Sequence, residues 1–437
     1  MNKPIQSFSK LSANEKIKLI TQQYFEDPQK AQALLSSYLL SNKSLQEIHS
    51  QFSENNLSNF VLPFSIAPNF LINQKTYCLP MVTEESSVVA AASHAAKFWF
   101  NRGGFTANVQ NMIKKGQIHF TYNGNPNTIK KLFRQHKSAL IHSTHEITHN
   151  MRMRGGGIQS VKLIDNTKTL PNYFQLDIAF ITGDAMGANF INTCLETMAS
   201  TWESIYFQNY SLFSKDQKFE IIMSILSNYN PECTVSVHAS CPIENLGLNL
   251  KDSERYAQKF VLACQIAAIN KFRAVTHNKG ILNGIDAVVI ATGNDFRAIE
   301  ASIHSYASKD GSYKSLSNAS INRGIFHFEM TVPISIGTVG GVTTLHPMVR
   351  WGNELLGWPS AEELMKIIAA SGLAQNFAAI NSLITTGIQK GHMKMHLNNI
   401  LNQLGATTHQ KQKATNYFQN KKISVKDVET YLTTIDA

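Results

Sequence analysis

The sequence predicts an α+β protein in which a small unit is inserted into a larger, discontinuous one. A length of 437 residues exceeds what one ordinary core accommodates and points to two or three domains. From about residue 112 to 226, short β-rich runs such as IHFTY and VKLID flank helical segments near 129–150 and 186–208. Their order is strand, helix, strand, strand, helix, strand, that of a ferredoxin-like unit. The flanks, 51–111 and 227–384, then form one large domain of mixed helix and strand.

Residues 1–50 are expected to be helical, because Ser12 and Glu15 make a capping box ahead of Ile17, Ile20 and Tyr24, which share one helix face. A second helix is expected to begin near Ser86 or Ser87 and run through VVAAASHAAKFWF to the stop signal Asn101, Arg102, Gly103, Gly104. Its alanines suit close packing against neighbouring helices. Lys279, flanked by Asn278, Gly280 and Asn283, reads as part of a turn after a helix ending near Phe272, where a solvated lysine is the plain alternative. Asp295 follows Gly293 and Asn294 at the start of another helix, a position that an aspartate commonly occupies simply as a cap. Gly387 and Gly391 introduce a last polar segment, 385–437, expected to be helical and mobile.

Composition narrows the function classes. With 43% hydrophobic and 16% charged residues, the chain has no disorder signature. Its most apolar stretches, Phe260–Ile269 and Ile285–Ala291, read as too short for the ~20 residues that cross a bilayer. The N-terminus lacks a secretory apolar region, so a cytoplasmic protein without a membrane anchor is expected. The five cysteines form no CxxC pair, which disfavours a zinc cluster or a disulfide framework. The formal charge of +10 is dispersed, with loose clusters at Lys130, Lys131, Arg134, Lys137 and at Lys411, Lys413, Lys421, Lys422. No arginine-rich arm or RNP signature accompanies it, so nucleic acid is not an expected partner, and phosphate-bearing small ligands are. A non-catalytic protein that binds anionic ligands is compatible with that charge alone.

His145, Glu146, Ile147, Thr148, His149 spell a literal His-Glu-x-x-His, the spacing of a helical zinc site. Arg152 stands where a metzincin continuation needs glycine and no third histidine follows, so no metal is expected there. His392 and His396 share helical spacing but also lack a third ligand.

The chain carries a series of longer motifs: PMVTEESSVVAAAS (Pro80–Ser93), DAMGANFINT (Asp184–Thr193), THNKGILNGIDAV (Thr276–Val288), IATGNDFRAIEA (Ile290–Ala301), GTVGG (Gly337–Gly341), GLAQNFAA (Gly372–Ala379) and TTGIQKGHM (Thr385–Met393). In this order they closely resemble the class II, bacterial-type 3-hydroxy-3-methylglutaryl-coenzyme A reductases, over roughly residues 8–400. The resemblance implies a large substrate domain (51–111 and 227–384), an inserted dinucleotide-binding domain (112–226) and a C-terminal helical flap (385–437). It implies a homodimer, or a higher even oligomer, with active sites at the subunit interface. The reaction implied is the four-electron reduction of hydroxymethylglutaryl-coenzyme A to mevalonate and coenzyme A with two NAD(P)H, in isoprenoid biosynthesis. Mevalonate oxidation with NAD in a catabolic setting is the alternative direction.

By the same resemblance, Glu85, Lys279, Asp295 and His392 form the catalytic tetrad. Hydride attack places negative charge on a carbonyl oxygen, which a fixed ammonium such as that of Lys279 stabilises. Glu85 aligns with the glutamate that protonates the aldehyde-level oxygen. Glu84 is its equal on local grounds. A proton-donating carboxyl beside a helix start needs burial to outweigh the macrodipole, so an apolar, enclosed site is expected. Asp295 is implied to hydrogen-bond to the lysine and the glutamate, and His392 to protonate the departing thiolate, whose conjugate acid has a pKa near ~8.5. Ser87, Arg273, Asn283 and Gln375 match positions that contact the hydroxymethylglutaryl group, where a guanidinium can pair with the free carboxylate.

DAMGAN has no GxGxxG, so the dinucleotide is expected to bind otherwise than on a Rossmann fingerprint. Within the motif, Asp184 and Met186 accompany Gly187, which would let the backbone approach a pyrophosphate near a helix N-terminus, and Asn189, which supplies polar contacts. NADH-selective relatives carry an aspartate near position 160. Here the residues are Ser160, Val161 and Lys162, which favours NADPH over NADH. Near the N-terminus, Lys10 stands close to where relatives place an arginine toward coenzyme A, and it lacks that residue's planar fork.

Overall fold

The computed structural model describes residues 4–214, 216–247, 249–385, 397, 400–418, 421 and 423–435. It is an α+β molecule whose sheets are all antiparallel. It opens with three helices, α1 (Ala13–Tyr24), α2 (Pro28–Ser37) and α3 (Lys43–Ser50). The expected capping box closes α1: Ser12 Oγ accepts from the Glu15 amide at 3.3 Å and the Glu15 carboxylate accepts from the Ser12 amide at 2.8 Å. Strands β1 (Phe64–Ile72) and β2 (Lys75–Val82) pair as a hairpin and lead to α4 (Val88–Phe100), which begins just after Ser87 as expected. Its Ala92, Ala95, Ala96 and Trp99 are buried.

Next come β3 (Thr106–Val109), β4 (Ile113–Tyr122), α5 (Pro126–His142), α6 (His145–Met153), β5 (Gly157–Asp165), β6 (Tyr173–Ile181), α7 (Ala188–Gln208) and β7 (Phe219–Leu226). Spatially, β4 to β7 form one sheet in the order β5-β6-β4-β7. Buried residues alternate along β4, and Ile118, Phe120 and Tyr122 turn inward against α5 and α7. Trp202 of α7 meets Phe120 and Phe133 edge-on at centroid distances of 6.0 and 6.2 Å, so this sheet has its own core.

The chain continues through β8 (Thr234–Pro242), α8 (Leu250–Ile269), α9 (Lys271–Ala291), α10 (Phe296–Tyr306), β9 (Ser317–Asn322), β10 (Ile325–Pro333), α11 (Val342–Leu345), α12 (Pro347–Leu355) and α13 (Ala361–Ile384). Strand β3 joins β8, β10 and β9 in a second four-stranded sheet. Trp99, Phe260, Phe326, Phe328 and Phe377 fill the core beneath it. Beyond that come α14 (Thr408–Tyr417) and α15 (Val425–Ile435), which close on a third small core containing Leu401, Phe418 and Val428.

Two expectations need correction. Lys279 is not in a turn: α9 runs unbroken from Lys271 to Ala291. The residues that looked like turn formers are packing residues. Asn278 is buried and its side chain bonds to Tyr313 and to the Lys314 carbonyl, while a Cβ at Gly284 would sit 2.5 Å from the Ser371 carbonyl oxygen of α13. Contacts across the core thus outweigh local propensity. Nor do all apolar stretches fall short of membrane-spanning length. Among the described residues, α13 is the one helix long and apolar enough, and 72% of its most apolar window is buried inside the protein.

Candidate active site

Along α9, Lys279, Asn283 and Asp286 recur at three- and four-residue spacing and line one side of the helix. The loop between β2 and α4 brings Glu85 to the top of this ridge, where Lys279 Nζ donates to Glu85 Oε2 at 2.6 Å. The pair is not enclosed as expected: the side chains are 58% and 41% exposed. The reason lies in α9, which turns His277, Asn278, Ile281 and Ile285 into the core and leaves Lys279 on the outer face. Glu84 is also exposed, and only Glu85 has the lysine contact.

Ser87 lies two residues after Glu85 with φ at 78° and makes no capping bond, so a strained backbone position leaves its hydroxyl available. Gln375 on α13 is buried, and its Oε1 has no hydrogen-bond partner among the described residues. An orphaned buried acceptor is costly unless a ligand completes it. Arg273 lies in the first turn of α9, half-buried and within electrostatic reach of Cys264 and His277, and six residues of helix place it off the Lys279 ridge.

Asp295 is not brought to Lys279. Its Oδ1 accepts from the amides of Arg297 and Ala298 at 3.0 and 3.2 Å, and the carboxylate also pairs with the Arg297 guanidinium. Among the described residues neither Lys279 nor Glu85 hydrogen-bonds to it, which departs from the expected contact. Helix geometry gives the reason: Lys279 lies 12 residues before Ala291, the end of α9, about 18 Å of helical rise. Asp295 comes only after that end and is held there as the cap of α10. His392 lies outside the described residues.

Asp295 instead borders a cavity of about 1200 Å³, lined also by Met186, Gly187, Asn189, Asn294, Arg297 and the glycines of the 337–341 segment. The cavity fits a dinucleotide in its construction. Gly187 has φ at 88° and leaves the N-terminus of α7 without a side-chain cap, so the first amides of a 21-residue helix are free for an anion. A Cβ at Gly187 would come 2.5 Å from Thr182 Cγ2, and one at Gly337 would collide with the Met186 nitrogen. Asp184 faces elsewhere, its Oδ1 accepting from the Ala361 amide at 2.7 Å at the start of α13. Ser160 and Lys162 sit on β5, Lys162 opposite Asp177, and neither lines the cavity. Lys10 is exposed in a short 3-10 turn.

Two groups escaped the sequence reading. Asp286, two turns along the ridge from Lys279, is half-buried beside Glu300 of α10, and this pushes its carboxyl up to about 8 against the pull of the Lys279 ammonium. Its spacing from Lys279 was the available signal. Lys114 is 3% exposed and its ammonium is enclosed by oxygen atoms; its inward position in the alternation of β4 was the signal. His145 and His149 do lie on α6, with the His145 ring 4.4 Å from that of His142. Among the described residues no group of three or more His, Cys, Asp or Glu is placed to hold a metal.

Residues 12–397 match the family model for hydroxymethylglutaryl-coenzyme A reductase. The chain is 37% identical over 412 residues to the 3-hydroxy-3-methylglutaryl-coenzyme A reductase of Archaeoglobus fulgidus, covering 93% of this chain and 88% of that one. It is 34% identical to a probable enzyme of the same name from Borreliella burgdorferi, with 92% and 89% covered. Among solved structures it is similar to the class II reductase of Streptococcus pneumoniae bound to NADPH in open conformations (TM-score 0.72, 37% identity, covering 88% of this chain and all of that one).

Proposed function

This chain belongs to the hydroxymethylglutaryl-coenzyme A reductase family, and from that premise we propose that it reduces hydroxymethylglutaryl-coenzyme A to mevalonate and coenzyme A, consuming two reduced nicotinamide cofactors. As a family member it is an oxidoreductase of the mevalonate pathway. The observation that carries the reading is the 2.6 Å contact between Lys279 and Glu85 on the same ridge as Asn283.

The dinucleotide supplies hydride when bound, and the free α7 N-terminus with Gly187 and Asn189 is where it would be held. The solved relative that carries NADPH supports NADPH as the cofactor. In the pair, Lys279 Nζ donates to Glu85 Oε2. As charge develops on the substrate oxygen the ammonium turns to it, Glu85 loses its cationic partner, and its affinity for a proton rises. Glu85, which is open to solvent, is thereby suited to take up a proton from water and pass it to the aldehyde-level oxygen at the second reduction. Ser87, Asn283, Arg273 and Gln375 are assigned to the acyl group, and His392 to the departing thiolate.

A single chain leaves this tetrad divided, with Asp295 near the far end of α9 from Lys279. We therefore assign the working unit to a homodimer in which Asp295 of the partner subunit completes the Lys279–Glu85 centre. An exposed apolar stripe supports it: Leu262, Ile266 and Ile269 on α8, then Phe272 and Val275 on α9, with Phe272 90% exposed. Phe272 and Val275 precede Lys279 by seven and four residues, so the stripe leads along the helix face to the reactive lysine. The division into a substrate domain (51–111 and 227–384), a dinucleotide domain (112–226) and a flap (385–437), and a place in the cytoplasm, belong to the same proposal.

The test follows substrate-dependent loss of reduced-nicotinamide absorbance with NADH and NADPH in parallel, while thiol and mevalonate are quantified. Two cofactors oxidised per thiol released is the expected result. No turnover with either cofactor, from folded protein, overturns the reading.

A further inference from the structure

Lys114 occupies a slot that the strand pattern reserves for a hydrophobe. In β4 the inward-facing row is Lys114, Gly116, Ile118, Phe120 and Tyr122, and Lys114 is as enclosed as its neighbours, at 3% exposure. No carboxylate pairs with it among the described residues. A buried ammonium costs several kcal/mol unless it is well solvated by the protein. The compensation is a cage of oxygens: Nζ donates to Thr182 Oγ1 at 2.7 Å, to the carbonyls of Ala185 and Met186 at 2.9 Å each, and reaches the Ile336 carbonyl at 3.3 Å.

These acceptors come from the two backbone segments that shape the cavity. Residues 182–187 lead into the free N-terminus of α7, and Ile336 leads into the 337–341 glycines. The peptide unit is planar, with N–H opposed to C=O. Holding the Ala185 and Met186 carbonyls inward therefore turns the Met186 and Gly187 amides away from the lysine. Thr182 Oγ1 adds a bond to the Ala185 carbonyl at 2.6 Å, and Ala185 bridges to Val339. On the other segment the Gly337 amide donates to Asn294 Oδ1 at 2.8 Å, next to Asp295.

We propose that Lys114 is a positioning residue for the dinucleotide: its ammonium locks the 182–187 loop to the 336–338 segment, so that the amides at the start of α7 and the Asn294–Asp295 corner face one ligand in fixed register. The inference rests on the placement of the dinucleotide at Gly187 given above. It adds a determinant that touches neither cofactor nor substrate and acts through the backbone between them.

The test compares Lys114→Met, which keeps length but removes the charge, with wild type. The readouts are NADPH dissociation constant by fluorescence, KM for each substrate, and thermal midpoint. The expected result is a rise of about tenfold or more in the NADPH constants, with KM for hydroxymethylglutaryl-coenzyme A within about twofold, as befits a misplaced binding loop. Thr182→Val, which removes one cage oxygen at nearly constant volume, is expected to move the same constant in the same direction by less, and it serves if Lys114→Met does not fold. A lowered thermal midpoint with NADPH binding unchanged in both variants overturns the inference. Gly187→Val separates it from its premise: if this variant loses NADPH affinity while the other two do not, only the role of Lys114 falls. If Gly187→Val binds NADPH like wild type, the placement of the dinucleotide falls and takes the inference with it.

Discussion

Lys279 Nζ and Glu85 Oε2 lie 2.6 Å apart although 194 residues separate them in the chain, and Asp295, only 16 residues from Lys279, is held away from both as a helix cap. Sequence proximity and spatial proximity are thus inverted among the three residues proposed for the reactive centre.

Removing the ammonium should be the most damaging single change. Lys279→Met is expected to lower kcat by about 10²- to 10³-fold or more, the scale on which oxyanion-stabilising donors act. Glu85→Gln should cost about 10²- to 10⁴-fold through lost proton transfer. His392→Ala is expected to spare reduction of free mevaldehyde, where no thiol departs. Steady-state kinetics on the thioester and on mevaldehyde distinguish these roles, and equal losses for His392→Ala on both substrates would remove its thiol-specific part.

The division of the tetrad gives a complementation experiment. Lys279→Ala and Asp295→Ala chains are each expected to be inactive alone. Mixed and reassociated at equal amounts, they should regain about a quarter of wild-type activity, because half of the dimers are mixed and each of those has one intact site. No recovery from demonstrably mixed dimers would place the lysine and the aspartate of each site in one chain. Phe272→Asp, at the most exposed point of the apolar stripe, should shift the protein toward monomer in ultracentrifugation and abolish turnover in parallel.

Asp286 should make stability fall with rising pH. Its carboxyl is raised from 3.8 to about 8, so the folded chain holds a proton that the unfolded chain has already released across that window. The contribution favours folding most at low pH and is lost as the pH climbs toward 8. Asp286→Asn should flatten the decline between pH 5 and 8 and leave the variant more stable than wild type at pH 8, read from urea unfolding. Parallel pH profiles for variant and wild type would show that the group titrates alike in both states.

Gly284 should tolerate no side chain. A Cβ there meets the Ser371 carbonyl oxygen at 2.5 Å and Gln375 Cβ at 2.8 Å, both on α13. Gly284→Val is expected to cost about 1–3 kcal/mol from overpacking. It should also raise KM for the acyl substrate by displacing Gln375, and a change in stability with KM untouched would argue against the role of that amide.

Local chemistry was legible wherever a few neighbouring residues suffice. The Ser12–Glu15 box, the helix that starts after Ser87, the aspartate cap of α10 and the order of strands and helices between 112 and 226 all depend on spacing, capping and alternation, and the structure has them at those positions. By local chemistry Asn278, Gly280 and Asn283 predict a turn around Lys279. They belong to a helix because Asn278 finds its partners at Tyr313 and Lys314 and because Gly284 lets α13 approach, contacts that lie 30 to 90 residues away.

What the sequence by itself determined was the family to which the chain belongs and the motifs from which its reactive residues are proposed, since side-chain chemistry and motif order are carried in the chain. What only the tertiary structure decided was which of those residues meet. The rise of a 21-residue helix keeps Lys279 from Asp295, the core-facing side of that helix leaves the Lys279–Glu85 pair open, and the closing of β4 against two distant loops turns Lys114 inward. Such outcomes depend on rigid elements and long-range packing, and no short stretch of sequence contains them.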